Sequence, residues 1–409
     1  MKENLLHGWL RSFLDVSFRT GLGNGPSRTI LAVAIGIVLG VAGVGLALNL
    51  SPRDPPASSP SCLGSNSDVA DPSAPHGAFV LDPPTGPHHA YYSDVQSYLV
   101  QNPVLCGADF WVAWSSVDAG PGAQPEYNFT EVDAHAAPWI AADKEVNLIF
   151  EMVGGTPNDV PSSLLSEVPT LHCGNSDVTP VEWNGTFETA YRAFISAAVH
   201  HFEAEAGFGY LRFDFGVGGE LSPVSDIDAP GCSSQLAANG FSLASWASYL
   251  TGMVAYEHSL HPTIQLMVPL SPVYPGQGDN ITATVSKAAA ADGIGIGSQN
   301  LRANDSALTE PTRVGCEQAE WCEAFSTYAG VIPLELETAA ASSPNGSGSV
   351  GSLVPMLAFG PTVHAQIYEL YLEDWLTAFD PNYPAYAEYH VAYAEALTQL
   401  ASVVGMSGG

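Results

Sequence analysis

From Gly77 onward, apolar positions fall into two alternating patterns: short near-continuous runs, and longer stretches where they return every three or four residues. The runs read as strands covered on both faces, and the stretches between them as the covering helices. The strands are GAFVLD from Gly77, ADFWVAW (Ala108–Trp114), VNLIFEM (Val146–Met152) and YLRFDFG (Tyr210–Gly216). IQLMVPL (Ile264–Leu270), GIGIG (Gly293–Gly297), VIPLELE (Val331–Glu337) and HAQIYEL from His364 continue the series. Helices are predicted near Tyr91–Gln101, Thr130–Asp143, Leu243–Ser259, Ala283–Ala291, Glu317–Tyr328 and Tyr386–Ser402. The helix within FETAYRAFISAAVHHFEAEAG places Phe187, Tyr191, Phe194, Ile195, Ala198 and Phe202 on one face. Eight strand–helix units over residues 77–405 predict an α/β fold, a single closed (β/α)8 (TIM) barrel. A doubly wound open sheet is the alternative. No G-x-G-x-x-G follows the first strand, and no P-loop is present.

The segment before the barrel has a different character. Ile30–Leu50 carries no charge and is long enough to cross a bilayer core. Lys2, Arg11, Arg19 and Arg28 precede it and only Arg53 closely follows, so the N-terminus is expected in the cytoplasm. The predicted order is a cytoplasmic 1–28, a transmembrane signal anchor at 29–50, a Pro/Ser-rich linker at 51–76 and an extracellular domain at 77–405. The alternative is a cleaved signal peptide and secretion, opposed by the long charged region, the long apolar run and the lack of an A-x-A site directly after that run.

Charge and cysteine content refine this address. Asp and Glu number 42 against 11 Lys and Arg, a net charge of −31, which excludes nucleic-acid partners. Only 13% of residues are charged, so the imbalance comes from missing cations, as in adaptation to an acidic or saline medium. All 6 cysteines follow the apolar segment, where disulfides persist. The expected pairs are Cys316–Cys322, Cys62–Cys106 and Cys173–Cys232; with no C-x-x-C spacing, a zinc site is not expected. Sequons at Asn128, Asn184, Asn280, Asn304 and Asn345 lie on the same side.

In a barrel of this kind, reactive groups sit at the C-terminal strand ends. Strand four runs into RFDFGVGGELSP, with Glu220 just past its end; strand seven reads IPLELETA, with Glu335 and Glu337 on one face and Glu337 nearer the mouth. Two carboxyl groups flanking a bond suit glycoside hydrolysis, one protonating the leaving oxygen while the other attacks carbon or activates water. Glu151, Asp214 and the alternating His364, Gln366 and Tyr368 of strand eight are candidate substrate contacts, as is Glu335. Trp114 is a candidate sugar-stacking platform or a core residue. Each carboxylate also has a structural alternative: Glu220 as a loop cap, and Glu335, Glu337 or Asp214 paired with Arg212. The adjacent pairs His88–His89 and His200–His201 suit no metal site, no H-E-x-x-H occurs, and no G-x-S-x-G nucleophile elbow follows a predicted strand.

These residues resemble the clan A (β/α)8 glycoside hydrolases. The resemblance spans most of Gly77–Gly405 and implies Glu220 as acid/base and Glu337 as nucleophile of a retaining mechanism. The stretch from FWVAW through the G-x-Y-x-F-like turn at Gly122–Phe129 and YELYLEDWLTAFDP after strand eight are similar to segments of that clan. Gly219 stands where clan A carries Asn before the acid/base. The G-G-E-L-x-P run is closer to the strand-four motif of β-amylases, which invert. The implied partner is an oligo- or polysaccharide, with no cofactor. A barrel that binds glycans or a surface partner without turnover is the alternative function.

Overall fold

The structure, a computed structural model, describes residues 75–82, 99–120, 122, 126–152, 159–173, 178–218, 221–270, 278–303, 320–347 and 350–404. Eight parallel strands close into a barrel: β1 (Gly77–Asp82), β2 (Gly107–Ala113), β3 (Glu145–Glu151), β4 (Phe208–Phe213), β5 (Gln265–Pro269), β6 (Gly295–Leu301), β7 (Leu334–Thr338) and β8 (Ile367–Tyr371). Each pairs with its sequence neighbours, and β8 closes the ring on β1 with Gly77 opposite Ile367. The expected barrel is present. Strand β6 begins two residues later than its GIGIG run suggested, and β7 and β8 each begin three residues later.

The helices hold the outer faces of the strands. The helix Gly185–Phe202 is capped by the Asn184 side chain, which accepts from the Thr186 amide. The predicted stripe from Phe187 to Phe202 is buried throughout. Its Phe194 and Phe202 rings pack on Phe150 of β3, which stacks on Phe213 of β4 at 5.0 Å. The helix Leu243–Ser259 starts at a capping box made by Ser242 and Ser245. The helices Gly278–Ala291, Glu320–Tyr328 and Tyr386–Val403 fall within a few residues of their predicted bounds.

The connection from β3 to the helix at Gly185, which shows no readable sequence pattern, contains a helical turn (Ser162–Leu165) and a hairpin pairing Thr170–Leu171 with Thr179–Pro180. Cys173 in this connection is bonded to Cys232 in the connection after β4, as expected. Gln235 donates to the His172 carbonyl and accepts from its amide, both at 2.9 Å. Leu171, Val181, Val224 and Leu236 bury a small separate core around the bridge. Cys106 and Cys322 are also disulfide-bonded, while Cys62 and Cys316 lie outside the described residues. Among the described residues no helix is long and apolar enough to cross a membrane, and the 29–50 segment lies outside them.

Candidate active site

The barrel interior departs from the usual filling of branched aliphatic side chains. It holds a column of polar and charged groups, and the strand pleat dictates which ones. Alternation places Tyr210, Arg212 and Asp214 on the inner face of the β4 segment, and Glu335 and Glu337 on that of β7. Arg212 is fully buried; its Nη1 donates to Glu335 at 2.7 Å and to Glu369 at 2.6 Å, and its Nη2 to Glu337 at 2.8 Å. Beneath it, the Tyr210 hydroxyl donates to Glu369, and Asn147 donates to Asp109 at 2.6 Å. Room for the Glu335 carboxylate comes from the opposite strand. A Cβ at Gly297 would stand 2.3 Å from Glu335 Oε2, so the glycine-rich β6 is what lets β7 carry an inward glutamate.

One arginine faces three buried carboxyl groups here. Burial drives Glu335 well above the ordinary carboxylate range, against the pull of Arg212 and with the neighbouring Glu369 adding to the rise. Glu337 is pushed the same way, by burial first, with Arg212 opposing. Its carboxylate lies higher than that of Glu335 and lines a cavity of about 180 Å³ at the C-terminal mouth. Trp111, Glu151, Asp214, Gln299, Arg302 and Tyr371 share that lining with it. Burial lifts Asp214 to about 7, with Arg212 opposing, and lifts Glu151 to about 8 with help from Asp214 and Asp159. The Tyr191 hydroxyl holds the Asp214 carbonyl at 2.7 Å and so fixes the end of the β4 segment from the helix side.

Of the expected site residues, the structure brings together Glu337, Glu151 and Asp214 at the cavity, with Glu335 one layer deeper, as the β7 pattern implied. Both β7 glutamates also pair with Arg212, so that structural alternative is realised as well. Glu220 lies outside the described residues; on either side of it, Val217 donates to the Ser222 carbonyl at 2.9 Å and Gly218 lines the cavity. Trp114 belongs to the core: its ring stacks on Phe194 at 5.3 Å and packs on Tyr191 and Phe187. The strand-eight set is displaced by one position. His364 is exposed before β8 begins, in a left-handed conformation, and Gln366 also precedes the strand. Tyr368 points outward, toward Gly360, with its hydroxyl on the Ala365 carbonyl. The inward residues of β8 are Glu369 and Tyr371.

Asp109, Trp111, Arg302, Glu369 and Tyr371 escaped the sequence reading. A signal existed for two of them. Asp109 and Glu369 are each an acid inside an apolar strand run, and a buried charge needs a partner. The same parity then puts Trp111, two residues past Asp109, into the cavity, where Trp114 cannot be.

The carboxylates of Glu335, Glu337 and Glu369 lie close enough together to hold a cation, and the Arg212 guanidinium already occupies that role. The fold is shared with glycoside hydrolases of known structure. The catalytic domain of a β-amylase from Paenibacillus polymyxa matches with a TM-score of 0.51 and 11% identity, over 72% of this chain and 91% of that one. A β-galactosidase from the psychrophilic Marinomonas ef1 matches with a TM-score of 0.50 and 12% identity, over 81% of this chain and 62% of that one. No family model and no curated protein matches the sequence. The chain is therefore a closed (β/α)8 barrel of the architecture that these glycoside hydrolases use, with a carboxylate-lined cavity at its C-terminal mouth.

Proposed function

We propose that this chain is a glycoside hydrolase acting on oligo- or polysaccharides outside the cell, anchored by its N-terminal apolar segment. In this reading Glu337 is the nucleophile and Glu220 the acid/base. The observation that carries it is the setting of Glu337: a β7 carboxylate lining a concave, aromatic-walled cavity and oriented from below by Arg212 at 2.8 Å. The arrangement of Glu220's neighbours, with Gly218 at the cavity, supports an acid approaching from the β4 side. The shared fold of the two hydrolases supports the reaction class.

The chemistry then runs in two displacements. Glu220 gives its proton to the glycosidic oxygen as the C–O bond breaks and a Glu337 oxygen bonds to the anomeric carbon. Water next attacks that carbon, yields its proton to Glu220 and releases Glu337. Glu337 must start ionised; burial opposes that state and Arg212 favours it. The deeper Glu335, with one oxygen lacking any hydrogen-bond partner among the described residues, is the better holder of the cluster's proton.

The test is a panel of aryl glycosides and oligosaccharides offered to the full-length chain. Glu337→Ala should abolish turnover, with azide restoring it and giving a product of opposite anomeric configuration. Glu220→Gln should lose about 10²–10⁴-fold on poor leaving groups and far less on activated ones. A wild-type product of inverted configuration would move Glu337 from nucleophile to general base. Full activity in folded Glu337→Ala would overturn the assignment.

A further inference from the structure

Building on the hydrolase reading for its substrate class, we infer that the sugar ring seated in this cavity carries an ammonium group, recognised by Asp214 and Glu151. The substrate class is then an amino-deoxy glycoside.

Among the described residues, three carboxyl groups line the cavity, from Glu151, Asp214 and Glu337. Glu337 has its counter-charge in Arg212, which is also committed to Glu335 and Glu369. Asp214 and Glu151 make no ion pair with any of the described residues. Asp214 is 2% exposed, yet its Oδ1 has no hydrogen-bond partner there. A buried carboxylate oxygen facing a cavity without a donor is an acceptor awaiting one. The remaining charges facing the pair are Asp159 and Glu369, which add to the negative side, and Arg212 on the other. Among the described residues Arg302 is the cation that lines the cavity, and it is exposed.

The aromatic side chains of the lining fit the same ligand. Trp111 and Tyr371 meet edge to face with ring centroids 6.5 Å apart, and both line the cavity. Aromatic faces attract cations as well as the CH surface of a pyranose. An ammonium offers three donors and a full charge to the two carboxylates, whereas a hydroxyl offers one donor and no charge. An anionic sugar would gain Arg302 but place its charge against Asp214 and Glu151. Burial first, and then the neighbouring Asp214 and Asp159, hold Glu151 at about 8, and a bound cation would offset both. The net charge of −31 would in addition draw a polycationic glycan toward the domain from a distance.

The experiment compares a fully deacetylated β-1,4-glucosamine tetramer with its N-acetylated counterpart, by calorimetry on the full-length chain near pH 7, since a more acidic buffer would protonate Asp214 and Glu151. The amino tetramer should bind roughly 10- to 100-fold more tightly, the range expected of a charge-assisted hydrogen bond, and added salt should shrink the difference. Asp214→Asn should remove most of that preference. Glu151→Gln provides a second variant should the first fail to fold. Equal binding of the two tetramers by wild type, or a preference that survives both substitutions, would overturn the inference. Hydrolysis of neutral aryl glycosides without amino preference would sink this inference and leave the hydrolase reading standing. Amino-selective binding with no turnover of any glycoside would do the reverse.

Discussion

Replacing Arg212 by Met tests whether the barrel interior is organised by one charge. Methionine roughly fills the stem of the arginine but leaves Glu335, Glu337 and Glu369 around an uncompensated space, with Glu335 and Glu369 fully buried. Breaking a buried ion pair by removing one partner costs about 3–5 kcal/mol. The cost should depend on pH in a definite direction. The folded protein already holds Glu335 and Glu337 above their ordinary values, with Arg212 opposing the rise. Without Arg212 their folded pKa values climb further. An acid whose folded pKa is raised stabilises the fold fully below its unfolded value, near 4.5, and loses that contribution as pH rises through the folded value. The penalty of Arg212→Met should therefore be small near pH 4 and reach its full size near pH 8. Urea unfolding followed by tryptophan fluorescence at about pH 4, 6 and 8 reads this as a widening gap in midpoint at constant slope. Adding Glu335→Gln to Arg212→Met should recover part of the loss, a coupling of about 0.5–3 kcal/mol between neighbours. A penalty below about 1 kcal/mol at every pH, or one that is the same at pH 4 and 8, would refute the charge-centred account.

Three further outcomes are expected. The wild type should itself lose stability as pH rises from about 4 to 8, because burial lifts Asp214 and Asp374 to about 7 and Glu151 to about 8; a melting temperature that rises over that interval would contradict this. Replacing Cys173 and Cys232 together by Ser opens a loop with a sequence separation of 59 and should cost about 4 kcal/mol by loop entropy, measured by denaturant unfolding. Trp114→Ala should cost about 3–5 kcal/mol as a core cavity while leaving KM unchanged for any substrate the protein turns over; a raised KM with intact stability would return Trp114 to the binding surface.

The strands were legible because each is a run of apolar residues between breakers, and parallel strands buried on both faces must look so. The β7 glutamates were legible for the opposite reason: two acids at alternate positions of such a run have one face in common. What failed was parity where no charge anchored it. On β8 the alternation of His364, Gln366 and Tyr368 suggests one phase, but His364 precedes the strand, and Glu369 sets the true phase through Arg212. On β2 the aromatic at the strand end drew attention from Asp109, although Trp114 begins a helical turn and faces the Gly185–Phe202 helix. The β3 connection was unreadable because its order comes from a cross-link and a small core shared with the next connection, neither of which has a local period.

The polar column inside the barrel has a thermal consequence. Unfolding a strand bundle filled with aliphatic side chains adds to the heat capacity at about 0.45 cal/K/mol per Å² exposed, whereas exposing polar surface subtracts about 0.26. Arg212, Tyr210, Asn147, Asp109 and the β7 and β8 glutamates occupy the space where such side chains usually sit. The barrel lumen therefore contributes little to the heat-capacity increment, which is carried by the helix–strand layer outside it. A smaller increment for the same buried volume flattens the curve of free energy against temperature. The fold then loses stability more slowly on cooling than an aliphatic-filled barrel of equal size, and calorimetry would read this as a low increment per residue.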